Sequence, residues 1–74
     1  MIVEVRLFAT FRESRFKDRE MEFPEGTSLA NLLEHLKIPE NEAAILLVNG
    51  RSASAKYKLA PQDVVSIFPA IGGG

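Results

Sequence analysis

The residues best placed to do chemistry in this 74-residue chain are its last three, Gly72-Gly73-Gly74. They bring no side chain. They bring a main-chain carboxylate on Gly74, at the end of a run without Cβ atoms. Such a run allows close backbone approach to another molecule and φ/ψ values closed to other residues. Terminal glycines are also what a frayed end looks like. Here they follow directly on a strand that Pro69 ends, which favours a working tail that Pro69 stiffens and aims.

The side chains offer little in competition. There is no cysteine, so disulfides, zinc–thiolate sites, iron–sulfur ligation and a thiol nucleophile are excluded. His35 is the one histidine, which excludes a multi-histidine metal site; no metal site is expected. It sits off the leucine stripe of its helix and reads as solvated. Glu13, Glu20, Glu22 and Glu25 are spread over loops and a strand and suggest no catalytic carboxylate pair. Arg51, Lys56 and Lys58 form a loose basic group, read as solvated surface with a possible steering role toward an acidic partner. Nine basic against ten acidic residues leave no footprint for nucleic acid or an anionic membrane. No apolar run approaches the ~20 residues of a membrane span. Met1-Ile2-Val3-Glu4 lacks the basic start of a signal peptide, so a cytoplasmic location is expected.

Size limits the architecture. A chain of 8.2 kDa exposes on the order of 12,000 Å² unfolded and about 4,500 Å² folded. One small core is possible and a deep enclosed active site is not. With no nucleophile–base pair either, the chain reads as a carrier or a small subunit of an enzyme complex rather than an enzyme acting alone.

The elements that must position the tail follow from periodicity. Val3, Val5 and Leu7 alternate with Glu4 and Arg6, predicting a strand over residues 2–8. Thr10-Phe11-Arg12-Glu13 has the spacing of a capping box, predicting a short helical turn over 11–16. Residues 15–18 read as a loop. Met21 and Phe23 alternate with Glu20 and Glu22 in a second strand ended by Pro24. Thr27 or Ser28 caps a helix with apolar Leu29, Leu32, Leu33 and Leu36, which stops before Pro39. Ala43–Val48 is a strand-length apolar run, and Asn49-Gly50 is a hairpin turn leading to a return strand over 51–55. Leu59 anchors the loop 56–63, and Val64–Phe68 is the last strand.

One amphipathic helix must then cover one face of a mixed sheet. The expected fold class is α+β: a β-grasp, ubiquitin-like roll of about five strands covered by one main helix. Residues 1–69 form the domain and 70–74 a flexible glycine tail. The element order comes from pattern; the sheet order, with the last strand beside the first, comes from analogy. Val65 and Ile67 would face the helix. Val64 and Phe68 would face away, near Phe8, leaving an apolar patch by the tail that suits protein docking, unless residues 9–18 fold over part of it.

With these elements in view, the chain resembles the MoaD/ThiS family of small sulfur-carrier proteins over essentially its whole length. The landmarks are Leu7-Phe8-Ala9-Thr10-Phe11-Arg12-Glu13, Gly26-Thr27-Ser28-Leu29, Val48-Asn49-Gly50-Arg51 and Phe68-Pro69-Ala70-Ile71-Gly72-Gly73-Gly74. Phe8–Glu13 and Phe68-Pro69 look closer to the molybdopterin-synthase small subunit. Ala60-Pro61-Gln62-Asp63 departs from the Gly-Asp turn common in the family, and Gly72 is an additional glycine.

The resemblance implies that a partner of the ubiquitin-activating type joins the Gly74 carboxylate to AMP, using its own ATP and magnesium. Sulfur from a persulfide donor then makes a thiocarboxylate. Gly72 and Gly73 would thread the channel, and Phe8, Val64, Phe68, Pro69 and Ile71 would meet the partners. Those partners would be the activating enzyme and the molybdopterin synthase large subunit, or a thiazole synthase. This chain itself would bind no cofactor. The alternatives are a thiamine-thiazole carrier, a ubiquitin-like modifier joined through Gly74, and a plain binding module.

Overall fold

A computed structural model describes residues 1–70. The strands are β1 (Ile2–Leu7), β2 (Asp18–Glu22), β3 (Ala43–Val48), β4 (Arg51–Ser52) and β5 (Val64–Pro69), with one α-helix, α1 (Leu29–His35). They form one sheet in the order β2-β1-β5-β3-β4. β1 pairs antiparallel with β2 and parallel with β5, and β3 pairs antiparallel with β5 and β4. This is the expected β-grasp arrangement: the element order is the one read from pattern, and the last strand lies between the first and the third, as the analogy placed it beside the first.

Alternation decides the two faces of the sheet. Val3, Val5, Leu7, Val65, Ile67, Leu46 and Val48 are buried on the side covered by α1. Leu29, Leu32 and Leu33 of the helix meet them, all at or near complete burial. Leu36, the fourth member of the stripe, is half-buried against the same core. Ser28 is the N-cap. Its hydroxyl accepts from the Asn31 N–H (3.2 Å) and its own N–H donates to Asn31 Oδ1 (3.1 Å), a reciprocal box. Seven residues make a helix too short to persist alone. It is held from outside: the N–H groups of Leu29 and Ala30 donate to the carbonyls of Tyr57 and Ala55, and Leu59 N–H to Thr27 O. Leu59, buried as expected, secures that loop.

β1 ends at Leu7 rather than at residue 8, β2 ends at Glu22 before Phe23, and four further boundaries differ from the sequence reading. The turn predicted over 11–16 is a 3₁₀ turn at Ala9–Arg12, with Phe8 at its N-cap and no side-chain cap. Thr10 lies inside it, so the Thr10–Glu13 spacing makes no capping box. β2 begins at Asp18, inside the segment read as loop, because residues 18–22 pair fully with β1. β4 is only Arg51–Ser52; beyond it the chain leaves the sheet to bond α1. β5 includes Pro69, which lies opposite Ala43. The hairpin turn is as read: Asn49 (φ 54°) and Gly50 (φ 81°) both take positive φ, the requirement of a two-residue type I′ turn.

Candidate functional site

β5 is the element that matters, because the glycine run lies on its C-terminal side. The strand is held on both flanks, by β1 and by β3. Its end lies beside an aromatic pair. Phe8 follows β1 and donates its N–H to Ile67 O (3.2 Å). That contact extends the parallel register far enough to set its ring on Phe68, with centroids 4.1 Å apart and planes 8° from parallel. Both rings stay half-exposed on the face away from α1.

The regular β3–β5 register sets Ile45 opposite Phe68, and a bulge between Ala43 and Ile45 then shifts Ala43 opposite Pro69. Ile45 is 50% exposed, one of two large apolar side chains left so open among the described residues. Arg12, from the 3₁₀ turn, places its guanidinium 5.1 Å from the Phe8 ring centroid and donates from Nε to Leu7 O (2.6 Å). Segment 9–18 is therefore divided. Phe11 turns into the core and Arg12 lies against Phe8, while the Phe68–Ile45 side of the patch stays open.

The sequence-predicted residues thus fall into three groups. Phe8, Phe68 and Pro69 come together at the exit of β5. Val64 shares their face but sits at the other end of the strand, opposite Glu4 and bonded through its backbone to Asn49. Ile71, Gly72, Gly73 and Gly74 lie outside the described residues. Sequence reasoning did not single out Ile45 or Arg12. The i,i+4 spacing of Phe8 and Arg12 was available as a signal, whereas the apolar run Ala43–Val48 did not say which of its residues face out; alternation with buried Leu46 and Val48 puts Ile45 outside.

The far end of β5 is polar and closed. Asp63 is 5% exposed. Its carboxylate accepts from Asn49 Nδ2 (2.9 Å), the Tyr57 hydroxyl (2.9 Å) and the Ala60 N–H (2.8 Å). Burial alone would raise its pKa. The hydrogen bonds from Ala60, Asn49 and Tyr57 outweigh burial and hold it below the usual carboxylate value. The same bond to Asp63, with burial and the nearby negative charge, raises the Tyr57 phenol. Asn49 also accepts the Val64 N–H at Oδ1 (2.9 Å), tying hairpin, loop and strand together.

The remaining polar residues gather no catalytic set. His35 is exposed and meets Phe23 edge-on at 5.5 Å. Arg51 and Lys56 line one groove by the hairpin, while Lys58 reaches toward Gly26 O in another. Among the described residues no cluster of histidine and carboxylates could hold a metal ion, and no helix is long and apolar enough to cross a membrane. What the described residues show is a central strand that passes Pro69 beside an exposed apolar surface.

A ubiquitin-like roll whose middle strand leads into a glycine run defines a class of small carrier and modifier domains. Within that class the family is fixed by sequence. The profile of the ThiS family matches residues 5–74, and the chain belongs to that family.

Solved structures agree. The Pyrococcus furiosus protein assigned as subunit 1 of a molybdopterin converting factor is 31% identical, with 96% of this chain and 99% of that one covered and a TM-score of 0.78. A chain of the protein–protein complex of molybdopterin-converting factor subunits 1 and 2 from Helicobacter pylori aligns over the full length of both chains, at 24% identity and TM-score 0.65. Small archaeal modifier protein 1 of Haloferax volcanii is 19% identical, with 95% and 98% covered and TM-score 0.78. At these last two identities the likeness is one of fold. No curated protein matches the chain.

Proposed function

We propose that this chain is a sulfur carrier whose Gly74 carboxylate is adenylated, converted to a thiocarboxylate and used in molybdopterin synthesis. The observation that carries the reading is the exit of β5: the strand that leads to Gly72-Gly73-Gly74 passes Pro69 beside the Phe8–Phe68–Ile45 surface. The molybdopterin branch is favoured by the 31% identity to the Pyrococcus furiosus subunit 1. The Phe8–Glu13 segment, which here builds the 3₁₀ turn, points the same way.

In this reading the chain supplies a nucleophilic carboxylate and a docking face, and nothing else. An activating enzyme of the ubiquitin-activating type supplies ATP and magnesium. The carboxylate attacks the α-phosphate and pyrophosphate leaves. The outer sulfur of a donor's persulfide then displaces AMP to give an acyl disulfide. A second thiol of the partner cleaves its S–S bond, releasing the thiocarboxylate and leaving a disulfide that a cellular thiol reductant restores. Gly72 and Gly73 let the backbone pass close to channel walls. Phe8, Phe68, Pro69 and Ile45, with Val64 and Ile71, meet first the activating enzyme and later the synthase large subunit. The likeness in fold to a small archaeal modifier protein supports a second reading, conjugation of Gly74 to a lysine.

The test is the intact mass of the protein from its native cells, with fragmentation. A mass gain equal to replacing one oxygen by sulfur, localised to Gly74, is expected, together with co-purification of a synthase large subunit. Conjugates in place of free protein would move the reading to the modifier. A thiazole synthase as the partner would move it to the thiamine branch. An unmodified Gly74 that also stays inert with ATP and the cognate activating enzyme would overturn it.

A further inference from the structure

We propose that the groove between residues 14–21 and the end of α1 binds a phosphate monoester with an apolar body. This site is on the helix side of the sheet and independent of the carrier reading. The groove has a volume of about 320 Å³, the low end of the range for small-molecule sites. Arg15, Arg19, His35 and Lys37 all line it.

None of the three cations Arg15, Arg19 and Lys37 is paired with a carboxylate among the described residues, where the one ion pair is Arg6–Glu4, on the opposite face. The alternation of β2 separates the signs. Asp18 and Glu20 lie opposite Arg6 and Glu4, on the open face. Arg19 lies opposite Val5, which is buried under the helix, and so reaches the groove side. Like charges gathered without partners raise the local potential and cost stability, and a bound anion relieves both.

The four groups have different duties. Arg15 donates to Leu36 O (3.2 Å), Lys37 O (3.4 Å) and Phe11 O (3.4 Å), which covers the negative end of α1. An anion there no longer faces bare helix carbonyls. The Arg19 guanidinium lies over the Phe16 ring, 4.6 Å from its centroid, so its N–H edge remains for a ligand. Lys37 takes φ 60°, at the left-handed position after the helix, with Ile38 N–H closing on Leu33 O (3.0 Å).

Arg19 and Lys37 together match the charge of a phosphate monoester, about −1.5 to −2 at neutral pH. The imidazole of His35 and the hydroxyl of Ser14, itself held at φ 60°, add hydrogen-bonding groups to the wall. Phe16, Met21 and Leu36 are partly buried against the core and give the groove an apolar floor. A ligand that fits both features carries a phosphate on an apolar or aromatic group.

The experiment is a titration of the isotope-labelled full chain with phenyl phosphate, followed by amide chemical shifts. Saturable shifts at Ser14, Arg15, Arg19 and Lys37 are expected, with inorganic phosphate binding more weakly. The double substitution Arg19→Gln and Lys37→Gln, both at exposed positions, should weaken binding at least about tenfold. Arg51→Gln with Lys56→Gln, in the hairpin groove, should leave it unchanged. AMP and a phosphotyrosine amide then distinguish the source: tighter binding of one assigns the ligand to a free nucleotide or to a phosphorylated protein. Shifts that follow Arg51 and Lys56, that fail to saturate, or that survive the Arg19/Lys37 substitutions would overturn the proposal.

Discussion

At its start β5 is fastened by a buried carboxylate. Asp63 takes three hydrogen bonds from residues 49, 57 and 60, and none of the buried side-chain polar atoms among the described residues lacks a partner. At its other end the same strand carries Phe68, stacked on Phe8 and opposite Ile45, with apolar surface left in water. One end lowers its free energy within the chain; the other leaves apolar surface in water, the surface that the proposed docking would bury. In that proposal stability and recognition are separated along a single strand, and substitutions at the two ends should report on different quantities.

The largest stability loss is expected at Asp63. Asp63→Ala leaves two side-chain donors and a backbone N–H without their acceptor, and should cost about 3 kcal/mol, seen as a lower denaturant midpoint. Phe8→Ala with Phe68→Ala should invert the pattern. Partner affinity should fall more than about tenfold, while stability falls by only about 1–2 kcal/mol, because the rings are half-exposed. If calorimetry with a partner shows equal losses from both sets, the separation is wrong.

Titration gives an intermediate effect with a defined sign. The pKa of Asp63 is lower folded than unfolded, so its contribution is present above the ordinary carboxylate value and is lost as pH falls through the lowered one. Tyr57 is the reverse: its raised pKa means stability present below the ordinary phenol value and lost as pH rises through the raised one. Asp63→Asn should flatten the acid limb of a stability–pH curve, and Tyr57→Phe the alkaline limb.

The smallest effect should be a gain. Gln62 holds φ 68° in the turn Ala60-Pro61-Gln62-Asp63, where the Asp63 N–H bonds Ala60 O (3.2 Å). Pro at the second position and positive φ at the third are the marks of a type II turn, which favours glycine there. Gln62→Gly should raise stability by about 0.5–1 kcal/mol in thermal or denaturant melts. No change in partner affinity is expected.

The sequence made much of this visible, for physical reasons. Val3, Val5 and Leu7 alternate because one face of β1 is buried; the leucines of α1 recur because one stripe is; Asn49-Gly50 marks a turn that needs positive φ twice. Phe8 and Phe68 could be placed together once the end strands were taken as neighbours. What escaped depended on contacts distant in sequence. Thr10–Glu13 had the spacing of a cap, but its turn is set by Phe8 and Phe11 packing. The true box uses Asn31, a shorter stand-in for the usual glutamate or glutamine. The Asp63 cluster joins a hairpin, a loop and a strand, and the cationic groove joins residues some twenty positions apart.

The placement of β5 has a mechanical consequence. A pull on Ala70 along the strand axis does not peel an edge, because β5 is flanked on both sides, running parallel to β1 and antiparallel to β3. The load falls on both ladders in shear, and many hydrogen bonds must yield together. The far end of the strand adds the Asp63 anchor as a stop. If residues 71–74 thread a partner's channel as proposed, the strand before them can bear that tension while the domain keeps its shape.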